Sequence, residues 1–412
     1  MKTKLKNLYE EFGAIKFTFY LFLIINAVWT IFNAIDMGFP VFCEEQSFQE
    51  NILLQNLHLS ADLNDTFMDF FNSIQYGRTP YTRRVIYPPL INVIYGFFGK
   101  IVPMSIKANG TLAIRASVPG VLVFELFCMM TAVVYAIAIA GIKGYTKKEK
   151  WFLGLGLCVA FTMIFVNWYD SPKKMERGVA ILSLAIAAAI KIYPAAFGLL
   201  LIRHKKWKEA LEAIIAGVLV MFVPFIFFTK ENRSVTLWIS NIINCNKEFQ
   251  NIGLGLKLNL SNTMQFFEEL WGVGLSGFTT VLTIAILVFD CVMVAFNRKL
   301  DEWKAIALLS LLMILIPGFS WTYTMLFIII PVVIFLGKDN NYKKDYIYLV
   351  LFILCLALFP PCEQFQAFHR INEGIKYRLG WTTLVESLSL LLLQIGITVD
   401  CLKNKKNRII HK

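Results

Sequence analysis

The sequence predicts an all-α polytopic membrane protein of about ten spans, on three observations. Hydrophobic residues make up 57% of the 412 positions and include 36 Phe. The mean hydropathy is +0.60, more apolar side chain than a water-soluble fold can hide. The apolar residues fall in windows of about 20, the length of helix that crosses roughly 30 Å of hydrocarbon, and clusters of Lys and Arg separate those windows.

In chain order the windows lie near 17–37, 118–142, 151–169, 178–203, 208–229, 271–297, 303–318, 322–338, 345–361 and 381–402. The first is too long and too aromatic for a cleaved signal, and no small-residue cleavage site follows it. Basic clusters at Lys2–Lys6, Lys143–Lys150, Arg203–Lys208, Arg298–Lys304, Lys338–Lys344 and the tail 403–412 orient the spans with both termini in the cytoplasm. The loops 38–117, 230–270 and 361–380 then face outward and carry most of the acidic and amide residues. The whole of 1–412 reads as a single transmembrane domain.

Two segments strain this scheme. Ile86–Val102 is apolar enough to cross, yet counting it as a span reverses the charge pattern of every later loop, so it is read as a helix lying in the outer interface. Lys173, Lys174 and Arg177 look cytoplasmic, although one span from Lys150 would place them outside. A missing or re-entrant half-span resolves that conflict. Within 178–203, Lys191 stands beside Tyr193-Pro194, where Pro removes a backbone donor and charge is costly, which points to a broken helix.

The net charge of +12 is dispersed among these orienting clusters, so nucleic acid is excluded as a partner. The eight Cys form no CxxC pair, and Cys128, Cys158, Cys291 and Cys355 sit in apolar runs as small hydrophobes. No P-loop, no GxGxxG after a strand, no HExxH and no nucleophile elbow is present. No acidic spacing compels a metal, and the need for a divalent cation stays open.

Chemistry is expected in the first outer loop, 38–117. It holds Asp62, Asp65 and Asp69, then Arg78-Thr79-Pro80-Tyr81, Arg83, Arg84 and Tyr87-Pro88-Pro89. Carboxylates followed by guanidiniums at a membrane surface suit a reaction between a hydroxyl and an anionic lipid. Arg83 and Arg84 offer forks of donors that match phosphate, the alternative being anchorage to lipid headgroups. Asp65 and Asp69, four residues apart, share a face of a helix, where like-charge repulsion raises one carboxyl or Asp65 caps the helix. Lys191 and Tyr193 are candidates to meet a pyranose or a phosphate, against snorkelling to the interface. In the last outer loop His369, Arg370, Lys376 and Arg378 are placed to close over a phosphate, although a His in a polar loop is usually only solvated. Tyr87, Trp321 and Tyr323 offer rings to a sugar, yet aromatic belts are common in any membrane protein.

The chain resembles glycosyltransferase family 87, polyprenyl-phosphate-sugar-dependent enzymes with the membrane-embedded GT-C fold. The resemblance is carried by Asp69-Phe70, Gly77-Arg78-Thr79-Pro80-Tyr81, Tyr87-Pro88-Pro89-Leu90, the Ala-rich run ending Lys191-Ile192-Tyr193-Pro194, and Pro317-Gly318-Phe319-Ser320-Trp321-Thr322-Tyr323. The family usually carries an Arg-Gly-Asn element before the segment that here reads Tyr169-Asp170-Ser171. This chain offers only Glu176-Arg177-Gly178, further along.

The resemblance implies a GT-C-like bundle that transfers a hexose, most often mannose, from a polyprenyl-phosphate donor to a glycolipid or glycan acceptor. It implies a hexosyltransferase of a bacterial cell membrane, working on the extracytoplasmic face with no cofactor, among membrane lipids. Asp69 aligns with the family's Asp-Phe position and becomes the candidate base, with Asp65 second. A base must take the acceptor proton while cations stabilise the departing phosphate. A transporter or flippase of a lipid-linked sugar is the rival reading, and a lipid-linked oligosaccharide polymerase the third.

Overall fold

A computed structural model describes residues 12–36, 68–147, 149–150, 160–248, 257–318, 320, 322–338, 343–356, 366–372 and 375–406. In chain order its helices are α1 (Ala14–Asp36), α2 (Met68–Tyr76), α3 (Pro89–Phe98), α4 (Met104–Ala108), α5 (Thr111–Ala116), α6 (Val118–Ala140), α7 (Ala160–Trp168), α8 (Lys174–Ile190) and α9 (Leu199–Arg203). There follow α10 (Trp207–Phe222), α11 (Val235–Glu248), α12 (Leu260–Trp271), α13 (Ser276–Phe296), α14 (Glu302–Leu315), α15 (Ile329–Leu336), α16 (Lys343–Leu356) and α17 (Trp381–Lys406). Helix dominates, as the apolar windows require. The departure among the described elements is an antiparallel hairpin, β1 (Gln366–Asn372) and β2 (Ile375–Gly380), inside the predicted outer loop 361–380.

The chain gathers into two compact units: one holds α1, the loop from Lys143 and α12–α17, the other α2–α11. Four helical stretches among the described residues are long and apolar enough to cross a membrane: Val118–Ala140, Trp207–Phe227, Ser276–Phe296 and Leu384–Lys403. The window 17–37 lies in α1, 23 residues long, whereas 178–203, 303–318 and 322–338 hold shorter or interrupted helices. Within Ile86–Val102, read from the sequence as interfacial and not as a span, the 10 residues of α3 reach about 15 Å, half a crossing. The window 322–338 divides into a 3-10 stretch, Thr322–Ile328, and α15.

Around α14 the first unit forms its core. Every residue from Trp303 to Leu315 except Lys304 is buried, so α14 is apolar on all sides because protein surrounds it. Its N-terminal end is pinned by charge: Lys304 Nζ lies 2.6 Å from Asp400, which also accepts from Tyr348 OH at 2.9 Å. Another anchor joins Lys16 Nζ to Glu149 at 3.0 Å. Burial alone would raise the Glu149 carboxyl, but the Thr146 N–H and Lys16 hold it below its ordinary value.

In the second unit the chain doubles back where a single span was expected. α8 runs 17 residues from Lys174 and ends at Lys191; a 3-10 stretch, Tyr193–Gly198, then leads into α9. The far end of that limb returns to the start of α8. His204 Nε2 lies 3.1 Å from Tyr169 OH, Lys206 Nζ lies 2.6 Å from Asp170, and Arg177 faces Glu209 at 3.6 Å. Window 178–203 is therefore a re-entrant pair of limbs with Lys191 at its turn. Asn167 Nδ2 also donates to Ala138 O at 3.0 Å, so α7 ends where α6 ends. A full crossing over 151–169 would have put Asn167 at the opposite end, so that expectation is corrected too. The clusters 170–177 and 203–208 consequently share one end, which removes the charge conflict seen in the sequence.

The N-terminal end of α6 is built around a close approach. Ser117 caps the helix by accepting from Gly120 N at 3.1 Å, and a Cβ on Gly120 would stand 1.8 Å from the Ile114 carbonyl oxygen. Gly120→Ala should therefore lower stability by about 3 kcal/mol or more, through forced separation of α5 from α6. Gly178→Ala, with nothing within 4 Å, should not lose stability. Thermal unfolding of the two purified variants checks the contrast.

Candidate functional site

The segment after α2 is a turn specified by its own residues. Gly77 adopts φ 52, Pro80 precedes the 3-10 turn Tyr81–Arg83, and Pro88-Pro89 opens α3. Arg84 closes that turn in the left-handed region at φ 60, a conformation costing an L residue about 1–2 kcal/mol. Such strain persists only where the surroundings fix it.

Here the surroundings come from the chain after α10. Asn232, fully buried, accepts from Tyr81 N at 2.7 Å and Thr82 N at 2.9 Å. Asn241 Nδ2 donates to Tyr81 O at 2.8 Å, and Trp238 Nε1 to Ile86 O at 2.9 Å. Arg78 Nε donates to Phe227 O at 2.7 Å. Tyr81 sits between the Phe225 and Phe228 rings, each 5.5 Å away, and its hydroxyl donates to Tyr87 O at 3.2 Å. Burial pushes that hydroxyl well above the ordinary phenol value, so it stays a donor.

The outcome is a rigid turn on which Thr82, Arg83 and Arg84 are exposed. Tyr87 is half-buried, and its carbonyl also accepts from Asn92 Nδ2 at 3.1 Å. Sequence reasoning missed Asn232, Trp238 and Asn241. The available signal was Trp238 and Asn241 three residues apart on one helix face, which does not say what that face meets.

Lys191 occupies the break between α8 and the returning limb, in extended conformation at φ −148 and ψ 123. Its Nζ lies 5.5 Å from the centroid of the Tyr193 ring, a cation–π distance. The carbonyl end of α8 adds favourable potential for a cation there. α8 and α10 start at the same end and pack alongside each other, each reaching about 25 Å. Lys191 thus lies at the same end of this unit as Phe225–Arg233 and the arginine turn they hold.

The predicted carboxylates stand differently. Asp69 is on α2, which packs antiparallel to α3 through Ser73 Oγ to Asn92 Oδ1 at 3.3 Å and the Phe70 and Tyr95 rings at 5.0 Å. Asp69 is seven residues, about 10 Å of helix, from the end of α2 at Tyr76. Asp65 lies outside the described residues. His369 and Arg370 are on β1 of the other unit, opposite Arg378 and Tyr377. Among the described residues no group of three or more His, Cys, Asp or Glu could hold a metal.

Residues 152–317 match the family model described as glycosyltransferase family 87. The match takes in Lys191 and Tyr193 and begins after Asp69, Arg83, Arg84 and Tyr87. It supports a membrane glycosyltransferase in general terms. No curated protein and no solved structure matches the chain.

Proposed function

We propose, from the family 87 match over residues 152–317 and the arginine turn, that this membrane glycosyltransferase takes a hexose, mannose foremost, from a polyprenyl-phosphate donor. The acceptor is an extracytoplasmic glycolipid or glycan. The observation that carries the reading is the placing of exposed Arg83 and Arg84, on a turn held rigid by Asn232 and Asn241, at the end of the unit where Lys191 breaks its helix. Three cations at one end suit a phosphate monoanion or dianion that must leave with its electrons.

In this mechanism Asp69 takes the proton of the acceptor hydroxyl as the oxygen attacks the anomeric carbon. The C–O bond to the lipid phosphate breaks, and Arg83, Arg84 and Lys191 receive the released charge. Tyr87 and Tyr193 flank the sugar, and Asp65 is the alternative base. One displacement inverts the anomeric carbon. The site faces outward, with both termini cytoplasmic in a cell membrane crossed about ten times.

The re-entrant limbs meeting at Lys191 also favour a second reading, a flippase for lipid-linked sugar, because broken helices line transport paths. One assay separates the two. Proteoliposomes holding the protein are given polyprenyl-phosphate-[14C]mannose or GDP-[14C]mannose together with membrane acceptors. Label reaching the acceptor from the lipid donor alone supports the transferase. Label that crosses the bilayer still attached to its lipid supports the flippase.

A further inference from the structure

The interior of the first unit contains polar chemistry that neither the transfer reaction nor helix packing uses. Asp290 on α13 is fully buried, and Gln394 on α17 is 4% exposed. Gln394 Nε2 donates to Asp290 Oδ1 at 2.7 Å. The other oxygen of each group, Asp290 Oδ2 and Gln394 Oε1, is buried without a hydrogen-bond partner. A third buried oxygen without a partner is Ser310 Oγ on α14.

These atoms share a depth. The Lys304–Asp400 contact at 2.6 Å sets the register of α14 against α17. Six residues along each helix from that contact, about 9 Å, bring Ser310 and Gln394 to one level. Asp290 is bonded to Gln394 and lies there too.

An ionised Asp290 would face this layer with an acceptor beside a second acceptor, and two buried lone-pair groups would stay unsatisfied. One proton removes both defects. On Oδ2 it makes the carboxyl a donor and acceptor, the complement of a primary amide. We propose that Asp290 and Gln394 form a carboxylic acid–amide pair that binds one proton, taken from water, inside the helix bundle. Asp290 Oδ2–H donates to Gln394 Oε1 while Gln394 Nε2–H donates to Asp290 Oδ1. The proton thereby joins α13 to α17.

Other titratable groups stand around the pair, the buried carboxylate Glu386 among them. Cys291 is next on α13. On α17, Glu386 is eight residues from Gln394, and Asp400 is engaged by Lys304 and Tyr348. α14 contributes Lys304 and Glu302 at its start, α16 contributes Cys355 and Tyr348, and α12 contributes Glu268, which accepts from Leu275 N.

Infrared difference spectroscopy of proteoliposomes, wild type minus Asp290→Asn at neutral pH, tests the proposal. The expected result is a carboxylic-acid C=O band present in the wild type and absent from the variant, together with an unchanged midpoint of thermal unfolding. Asparagine supplies a fixed N–H where the acid had O–H, so the neutral variant keeps both bonds. Asp290→Leu, which leaves the Gln394 amide unmatched, should lose several degrees. A carboxylate band in the wild type, or failure of Asp290→Asn to fold, overturns the proposal. So does a wild-type midpoint that rises in Na+ or Li+ over choline and does not rise in Asp290→Asn, which would assign the two oxygens to a monovalent cation instead.

Discussion

Transfer of labelled mannose should fall by about 10²- to 10⁴-fold in Asp69→Asn, the range attributed to one positioned general base. Binding of the polyprenyl-phosphate donor should stay within about twofold, because the amide keeps the size of the carboxylate and the cations proposed to meet the phosphate are unchanged. The prediction depends on the chemistry of the nucleophile. A sugar hydroxyl is a poor nucleophile until a base takes its proton in the transition state, so removing the base lowers kcat without a comparable change in KM. Retained transfer in Asp69→Asn would move the base elsewhere, with Asp65 the next residue to replace. The variant should also fold normally, since rings hold α2 in place: Phe70 meets Tyr95 at 5.0 Å, Phe124 at 5.6 Å and Phe127 at 5.1 Å.

The second large effect is expected at Asn232, which no chemical argument from the sequence would select. Asn232→Leu removes the acceptor of two backbone N–H groups, Tyr81 at 2.7 Å and Thr82 at 2.9 Å, and the donor to Thr229 Oγ1 at 2.9 Å. Leaving Tyr81 N buried without a partner costs about 1–3 kcal/mol, and the lost side-chain bond adds about 1 kcal/mol. Stability should drop by about 2–4 kcal/mol, readable as a lower unfolding midpoint. The functional signature is separate. With the turn loosened, Arg84 leaves its left-handed conformation, and the affinity for polyprenyl phosphate should fall at least tenfold while kcat at saturating donor changes little. Thr229→Ala provides the control, since it removes one bond of Asn232 and keeps both that hold the turn. Equal loss of donor affinity in Thr229→Ala and Asn232→Leu would show that the turn's rigidity is not what binds the phosphate.

Much of the local structure was legible. Gly77, Pro80 and Pro88-Pro89 specify a turn followed by a helix start, and the structure has a turn closing at Arg84 and α3 opening at Pro89. Tyr193-Pro194 beside Lys191 announces a break, and α8 ends there. Ile86–Val102, read as lying in the interface, contains α3, too short to cross. The candidate cations Arg83, Arg84 and Lys191 were also visible, because charge next to apolar runs is rare enough to notice.

What stayed illegible were the pairings between distant residues. Asn232 reaches Tyr81 across 151 positions, and Gln394 reaches Asp290 across 104. A polar residue in a sequence declares a need for a partner without naming one. The return of the limb after Lys191 rests on Tyr169 with His204 and Asp170 with Lys206, contacts that exist only once two helices are packed side by side.

The sequence by itself determined that this protein is a helical membrane protein, where its helices start and break, and which cations stand beside apolar segments. Those are consequences of composition, of backbone preferences at Gly and Pro, and of the cost of charge in hydrocarbon. Only the tertiary structure decided which apolar segments cross and which are enclosed. α14 and α13 are both apolar, yet α14 is wrapped by protein while Phe278, Val281, Ile284 and Val288 of α13 are exposed. Lipid and protein interior are equally apolar solvents for a side chain, so hydropathy cannot distinguish them, and packing makes the choice.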